Sequence, residues 1–244
     1  MKIIPASEYH KFTNCAKSIS FCTVFPLSIT EGRQSGHIYQ TANNTLIRHK
    51  NNFTFIFGTP DKDEIQEIHD LIIAEKLKFM CDDITLAKDI FSLGGLEFIP
   101  RDVYKYLSDT APAVDLPEGY SLRTIDRELF SMIKGDVPPT LYWDDFEQYS
   151  KNGMGRCVMF GSEPAAWAFS SAVSSDECDI GIETVSAHRN RGLALAAAAA
   201  MVNDILPDKR PTWICHRSNI GSARTAERLG FTKLGECFLL RCSG

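Results

Sequence analysis

The sequence predicts an α+β fold built on one mixed central sheet, and three observations support this. Strand-like and helix-like segments interleave from residue 45 onward, which fits neither an all-helical nor an all-β arrangement. Hydrophobic residues make up 44% and charged residues 23% of the 244-residue chain, so it can bury enough apolar surface to offset the entropy of ordering. The longest apolar run, Leu193–Val202, has ten residues, whereas a membrane-spanning helix needs about 20.

The first 40 residues are the least periodic, with helical character expected only around Ser7–Ser18. Thr45–His49 and Phe53–Phe57, separated by Lys50-Asn51-Asn52, read as a hairpin. Asp61–Lys78 reads as a helix, because Ile65, Ile68, Leu71 and Ile72 follow helical spacing behind an acid-rich first turn. A short strand, Phe79–Cys81, and a helix, Asp83–Leu93, stopped by Gly94-Gly95, come next, and the chain is extended from Phe98.

Asp109–Gly119 has two prolines, three acids and no period, and it marks a boundary between an N-terminal α/β domain (1–112) and a second domain (113–244). The second opens with a strand (Ser121–Thr124) and helices at Arg127–Ile133 and Tyr142–Ser150. Strands at Cys157–Phe160 and Ala165–Ser171 flank a turn, and a third strand covers Cys178–Val185. A helix (Arg191–Leu206), a strand (Thr212–Cys215), a helix (Ile220–Leu229) and a strand (Gly235–Arg241) complete the order. Strand, helix, strand, helix, glycine and strand recur at 53–107 and 178–241, a weak repeat that two unrelated α/β pieces would also produce.

Eight cysteines without a Cys-x-x-Cys pair point to reduced thiols, a cytoplasmic setting and no metal site. The N-terminus lacks the apolar core of a secretory signal. The net charge of −5 argues against nucleic acid as a partner, and nothing suggests a membrane. Residues 188–233 nevertheless carry +5, leaving −10 elsewhere, which suits a polyanionic ligand.

That basic segment contains the chemistry. At 178–194 a strand runs through a loop directly into a helix, with Gly192 at the helix mouth. Free backbone N–H groups and the helix dipole make such a mouth an anion site, and Arg189 and Arg191 add charge. Arg189-Asn190-Arg191-Gly192-Leu193-Ala194 resembles the Arg/Gln-x-x-Gly-x-Gly/Ala pyrophosphate loop of the GCN5-related N-acetyltransferases (GNAT). The segment Asn219–Phe231 resembles the family's fourth-helix pattern, with Asn219, Ser222, Ala226, Gly230 and Phe231 at the family's spacings. The preceding domain makes the chain similar to the zwittermicin-resistance-type branch, whose first domain is a degenerate GNAT-like half.

The resemblance implies a GNAT acyl-CoA N-acyltransferase fold in the C-terminal half. It implies acetyl-CoA as co-substrate and direct acetyl transfer to a small-molecule primary amine. Cofactor binding falls to Thr184 and Val185 through the main chain, to Arg189, Asn190, Arg191, Gly192, Leu193 and Ala194 in the loop, and to Asn219 and Ser222. Of Glu177, Asp179 and Glu183, which share one strand face, Glu183 is the preferred base. Ala226 occupies the slot of the family's proton-donating Tyr, so either another group substitutes, with His216, Ser222 and Cys215 as candidates, or water does so, or the enzyme is weak or inactive. Asp144, Asp145 and Glu147, beside Tyr142, Trp143 and Tyr149, suit a cationic acceptor.

A non-catalytic acyl-CoA-binding or sensing module is the competing reading, prompted by the missing Tyr. Gly153-Met154-Gly155 precedes a strand instead of following one, which excludes a dinucleotide fingerprint. A homodimer, the acceptor and the role of the first domain stay open.

Overall fold

The computed structural model describes residues 1–243 and arranges twelve strands in one sheet. At one edge lie β1 (Lys2–Ile3) and β2 (Gly36–Gln40), with α1 (Thr13–Ala16) and α2 (Val24–Thr30) between them in sequence. The expected hairpin is present as β3 (Thr45–His49) and β4 (Phe53–Phe57). The expected 61–78 helix is α3 (Lys62–Glu75), begun by an Asp61 capping box and ended by Lys76 at φ 51°. Next come β5 (Lys78–Cys81), α4 (Ile84–Ser92) and the long β6 (Leu96–Tyr106).

The same order then repeats: β7 (Tyr120–Thr124), α5 (Arg127–Met132), α6 (Phe146–Asn152), β8 (Gly155–Phe160), β9 (Glu163–Val173), β10 (Glu177–Thr184), α7 (Leu193–Ile205), β11 (Arg210–His216), α8 (Ile220–Leu229) and β12 (Phe231–Cys242). The helix expected from Tyr142 begins later because Asp145 caps it, accepting from the Gln148 N–H. β12 starts four residues earlier than expected and has an irregularity between Lys233 and Gly235 that hides the alternation.

The spatial order is β1-β2-β3-β4-β5-β12-β6-β11-β10-β9-β8-β7. Adding six to each strand number of the first half, and subtracting six in the second, reverses this order. Pair types follow the same rule: β4 and β10 run parallel to β5 and β11, and every other neighbouring pair is antiparallel. The two halves are therefore an architectural repeat, and their last strands are exchanged. β6 pairs with β11 of the second half, and β12 pairs with β5 of the first.

The sheet is continuous across residues 112 and 113. On one face α7 and α8 cover the second half, and α3 and α4 cover the first. On the other, the inner face, one cluster joins Val24, Phe25, Ile29, Phe53 and Phe55 to Ala172, Cys237 and Leu239. Gln34 stitches the halves there, donating to the Tyr142 and Ser171 carbonyls and accepting from the Val173 N–H.

Candidate active site

Helix α7 begins without a side-chain cap, at Gly192 with φ 77°. Asn190 also has positive φ, 64°, and together they turn successive N–H groups toward one side. The first helix N–H with a backbone partner is that of Ala196, which donates to the Gly192 carbonyl. Among the described residues, the N–H groups of Asn190 through Leu195 meet no protein acceptor. A Cβ on Gly192 would meet nothing within 4 Å, so the space beside it is open. Arg189, Asn190, Arg191 and Gly192 are exposed, Ala194 is half-buried, and Leu193 is buried in the core and anchors the helix. This is an anion cradle of backbone donors flanked by two guanidinium groups.

The cradle opens beside a gap in the sheet. β10 and β11 are paired only over Glu177–Arg210, Cys178–Pro211 and Asp179–Thr212, then diverge. Beyond this point β10 stays bound to β9 and β11 to β6. Val185 is fully engaged: its N–H donates to the Ala165 carbonyl, and its carbonyl accepts from the His188 N–H. Antiparallel alternation then turns the main-chain groups of Ile182 and Thr184 into the gap, and the Arg189 side chain donates to the Thr184 carbonyl. Of the two residues expected to act through the main chain, Val185 has its groups occupied within the protein, and Thr184, with Ile182, faces the gap.

The α8 residues divide. Asn219 caps the helix by accepting from the Ser222 N–H, and Ser222 Oγ accepts from Trp213 Nε1 at 3.0 Å. Ala226 is fully buried one turn on. Trp213 and Cys215 share the α8 face of β11, so alternation places His216 on the inner face, apart from Ser222. Burial and the neighbouring Arg101 and Arg241 charges hold His216 down at about 4, so it is neutral near pH 7. Burial raises the Cys215 thiol, and burial pushes that of Cys178 far higher, opposing a thiolate role for either.

The three strand acids have distinct roles. Glu177 accepts from Lys105 Nζ at 2.6 Å and Thr23 Oγ1 at 2.8 Å. Glu183 accepts from the N–H groups of Asp136 (3.2 Å) and Val137 (2.8 Å), pinning the loop after α5. Asp179, 5% exposed, stands on the last rung before the strands part. Among the described residues, its carboxylate accepts only from the Ser171 and Thr212 hydroxyls. Burial pushes its carboxyl up to about 7, against the pull of Ser171, Arg101 and Thr212. Asp179 therefore suits proton abstraction better than Glu183, whose oxygens are already committed to backbone.

The expected acidic acceptor wall is absent. Asp144 pairs with Lys50 at 3.0 Å, Asp145 caps α6, and Glu147 pairs with Arg127 at 2.5 Å. Trp143 and Tyr149 are core residues. Tyr142 lies on the inner face, its ring 6.3 Å from that of His49 and 5.3 Å from that of Phe169, and burial pushes its hydroxyl up to about 12. Arg101, unmarked in the sequence, gave one weak signal: a charge in register with Ile99 and Val103 on the inner face of β6.

Backbone donors at a helix mouth, beside two parallel strands that part, define the class: a GNAT fold with an open anion site at its α7 mouth. The chain belongs to the GNAT acetyltransferase family, whose pattern it matches over residues 20–237. Among solved structures it is similar to a GCN5-related N-acetyltransferase-like protein from Streptococcus suis, with 20% identity, 98% of this chain and 99% of that one covered, and a TM-score of 0.77. A GCN5-related N-acetyltransferase from Kribbella flavida covers 99% and 96% at 14% identity and TM-score 0.59. A tandem GNAT protein from the clavulanic acid biosynthesis pathway covers 98% and 95% at 12% identity and TM-score 0.56. No curated protein matches the sequence. The GNAT fold, expected for the C-terminal half, therefore spans nearly the whole chain, because both halves build one sheet. No helix among the described residues is long and apolar enough to cross a membrane.

Proposed function

We propose that the protein is an acetyl-CoA-dependent N-acetyltransferase that acts by direct transfer on a primary amine of a small molecule. The supporting observation is the uncapped α7 mouth, with unpaired N–H groups from Asn190 to Leu195, beside the β10/β11 gap. Asn190–Leu195 and the two arginines would hold the pyrophosphate of acetyl-CoA, and Ile182 and Thr184 main-chain groups its pantetheine arm. Bound acetyl-CoA supplies an activated acyl carbonyl. Asp179 takes the proton of the amine as the N–C bond forms, and CoA leaves as its thiolate as the C–S bond breaks, hydrogen-bonded by the Ser222 hydroxyl and then protonated from solvent. Glu183 is a positioning residue that holds the Asp136–Val137 loop.

The first half is a GNAT-like half that has lost its own cradle, which supports placement in the zwittermicin-resistance-type branch. The buried Ala226 favours a second reading, an acyl-CoA-binding module without turnover. Calorimetry with acetyl-CoA, then mass detection of acetylated product, separates the two. Both predict micromolar CoA binding, and only the first predicts amine-dependent release of CoA. Absence of CoA binding would remove both.

A further inference from the structure

The inner face carries an unusual charge. Arg101 is 7% exposed and, among the described residues, has no carboxylate within ion-pair distance. Among the described residues, its one side-chain hydrogen bond is from Nη2 to the Ile214 carbonyl at 3.3 Å, and Nε has no partner. Its guanidinium carbon lies 5.0 Å from the Phe53 ring centre. A buried guanidinium without an anion is costly, so such residues ordinarily pair.

Two further buried groups on this face are incomplete. Asn51, 7% exposed, leaves Nδ2 without a partner, and His49, 1% exposed, leaves Nε2 without one. The His49 ring lies 6.3 Å from that of Tyr142. Asn51 Oδ1 accepts from the N–H of Phe53, whose ring lies beneath Arg101, and Gln34 donates to the carbonyls of both Tyr142 and Ser171, the residue whose hydroxyl donates to Asp179, so these groups share one region of the inner face. Asp179 is incomplete in the complementary sense. It is a buried carboxyl served by two hydroxyls, with no cation at ion-pair distance among the described residues.

We propose that this inner-face cluster of unpartnered polar groups, contributed by the two halves, binds an acceptor carrying a carboxylate as well as the reactive amine, a small amino acid. Arg101 Nε and Asn51 Nδ2 receive the carboxylate, and Asp179 faces the amine. A ligand with one positive and one negative end completes both buried groups and leaves the cluster neutral. A phosphate would bring a second negative charge that a single guanidinium does not balance. The first half thus supplies carboxylate recognition through Asn51 and Arg101, and the second supplies the base. The proposal rests on the acetyltransferase reading for its reaction, but not for its binding test.

The test uses the whole chain loaded with CoA. Calorimetry measures binding of the twenty common amino acids and their decarboxylated amines, and mass detection follows acetylation with acetyl-CoA. At least one amino acid is expected to bind and react at least ~100-fold better than its decarboxylated counterpart, because loss of the carboxylate strands Arg101. Arg101→Met should collapse that preference toward one and raise the melting temperature of the free protein, since it removes an unpaired buried charge. Asn51→Asp, which sets a like charge against the carboxylate, should weaken the same ligand. Equal reaction of amines and amino acids would overturn the proposal and leave the acetyltransferase reading intact. Amino-acid binding without any acetylation would do the reverse. No binding by any amino acid, or a lower melting temperature in Arg101→Met with the preference kept, would overturn it and make Arg101 structural.

Discussion

The loops β4–α3 and β10–α7 occupy equivalent places in the two halves and have opposite electrostatics. In the second half, Gly192 leaves the helix mouth open, and two arginines stand beside it. In the first half, Asp61 accepts from the Glu64 N–H, and Glu64 reaches back to the Asp61 N–H. Glu64 also accepts from Thr41, Asn43 and Asn44, so the helix carries its own carboxylates where an external anion would sit. The rungs at which the parallel strands part differ as sharply: Asp179–Thr212 in one half, Phe55–Met80 in the other. A helix start can satisfy its donors from within or from outside, and this chain does one in each half.

The largest effect expected from testing that contrast is at Asp179. Asp179→Asn should lower turnover by about 10²- to 10⁴-fold with CoA affinity kept, and should abolish an acid limb near pH 7 in the rate profile. The same group shapes stability. Its folded carboxyl titrates near 7 and its unfolded one near 3.8, so its contribution is favourable at low pH and is lost as pH rises between them. Asp179→Asn should therefore gain stability relative to wild type from pH 4 to pH 8, read by thermal melts. His49 and His216, both held down at about 4 from 6.5, act with opposite sign over 4 to 6.5 and are unchanged in the variant.

Next, Gly192→Val should weaken CoA by roughly 30-fold or more, because the added side chain fills the space from which the phosphates approach. Its left-handed φ of 77° costs about 1–2 kcal/mol, a melting shift of a few degrees, so the protein stays folded. Unchanged affinity in the folded variant would rule out the loop as the cradle. Asp61→Ala, in the first half, should cost about 1–2 kcal/mol of stability and create no second CoA site. Calorimetric stoichiometry near one per chain checks this. Smallest are Arg189→Ala and Arg191→Ala, each about 0.3–1 kcal/mol of CoA affinity and sensitive to salt.

Local signals carried far in this sequence. The cradle, α8 and the β3/β4 hairpin are written in contiguous residues whose spacing is itself the physical cause of the structure. Residues 6–30 lack such a period because α2 is buried on all sides from Val24 to Thr30 and shows no polar face. The exchange of β6 and β12 is a pairing between strands more than a hundred residues apart, and no local pattern encodes it. Asp179 was visible as one acid of three. Its distinction from Glu183 arises only when the fold leaves it buried while Glu183 receives two backbone N–H groups. Arg101 is legible only once the inner face is assembled without a carboxylate beside it.

The exchanged strands also set an order of events during synthesis. β12 emerges last of the twelve strands, yet it lies between β5 and β6 near the centre of the sheet. Until it arrives, β5 presents an open edge, and β6 can bind only β11. A growing chain therefore cannot complete its first half on the ribosome and set it aside. Both halves must wait for residues 231–242 and close together, so folding is one late cooperative step in which a nascent first half is exposed to aggregation or chaperone capture.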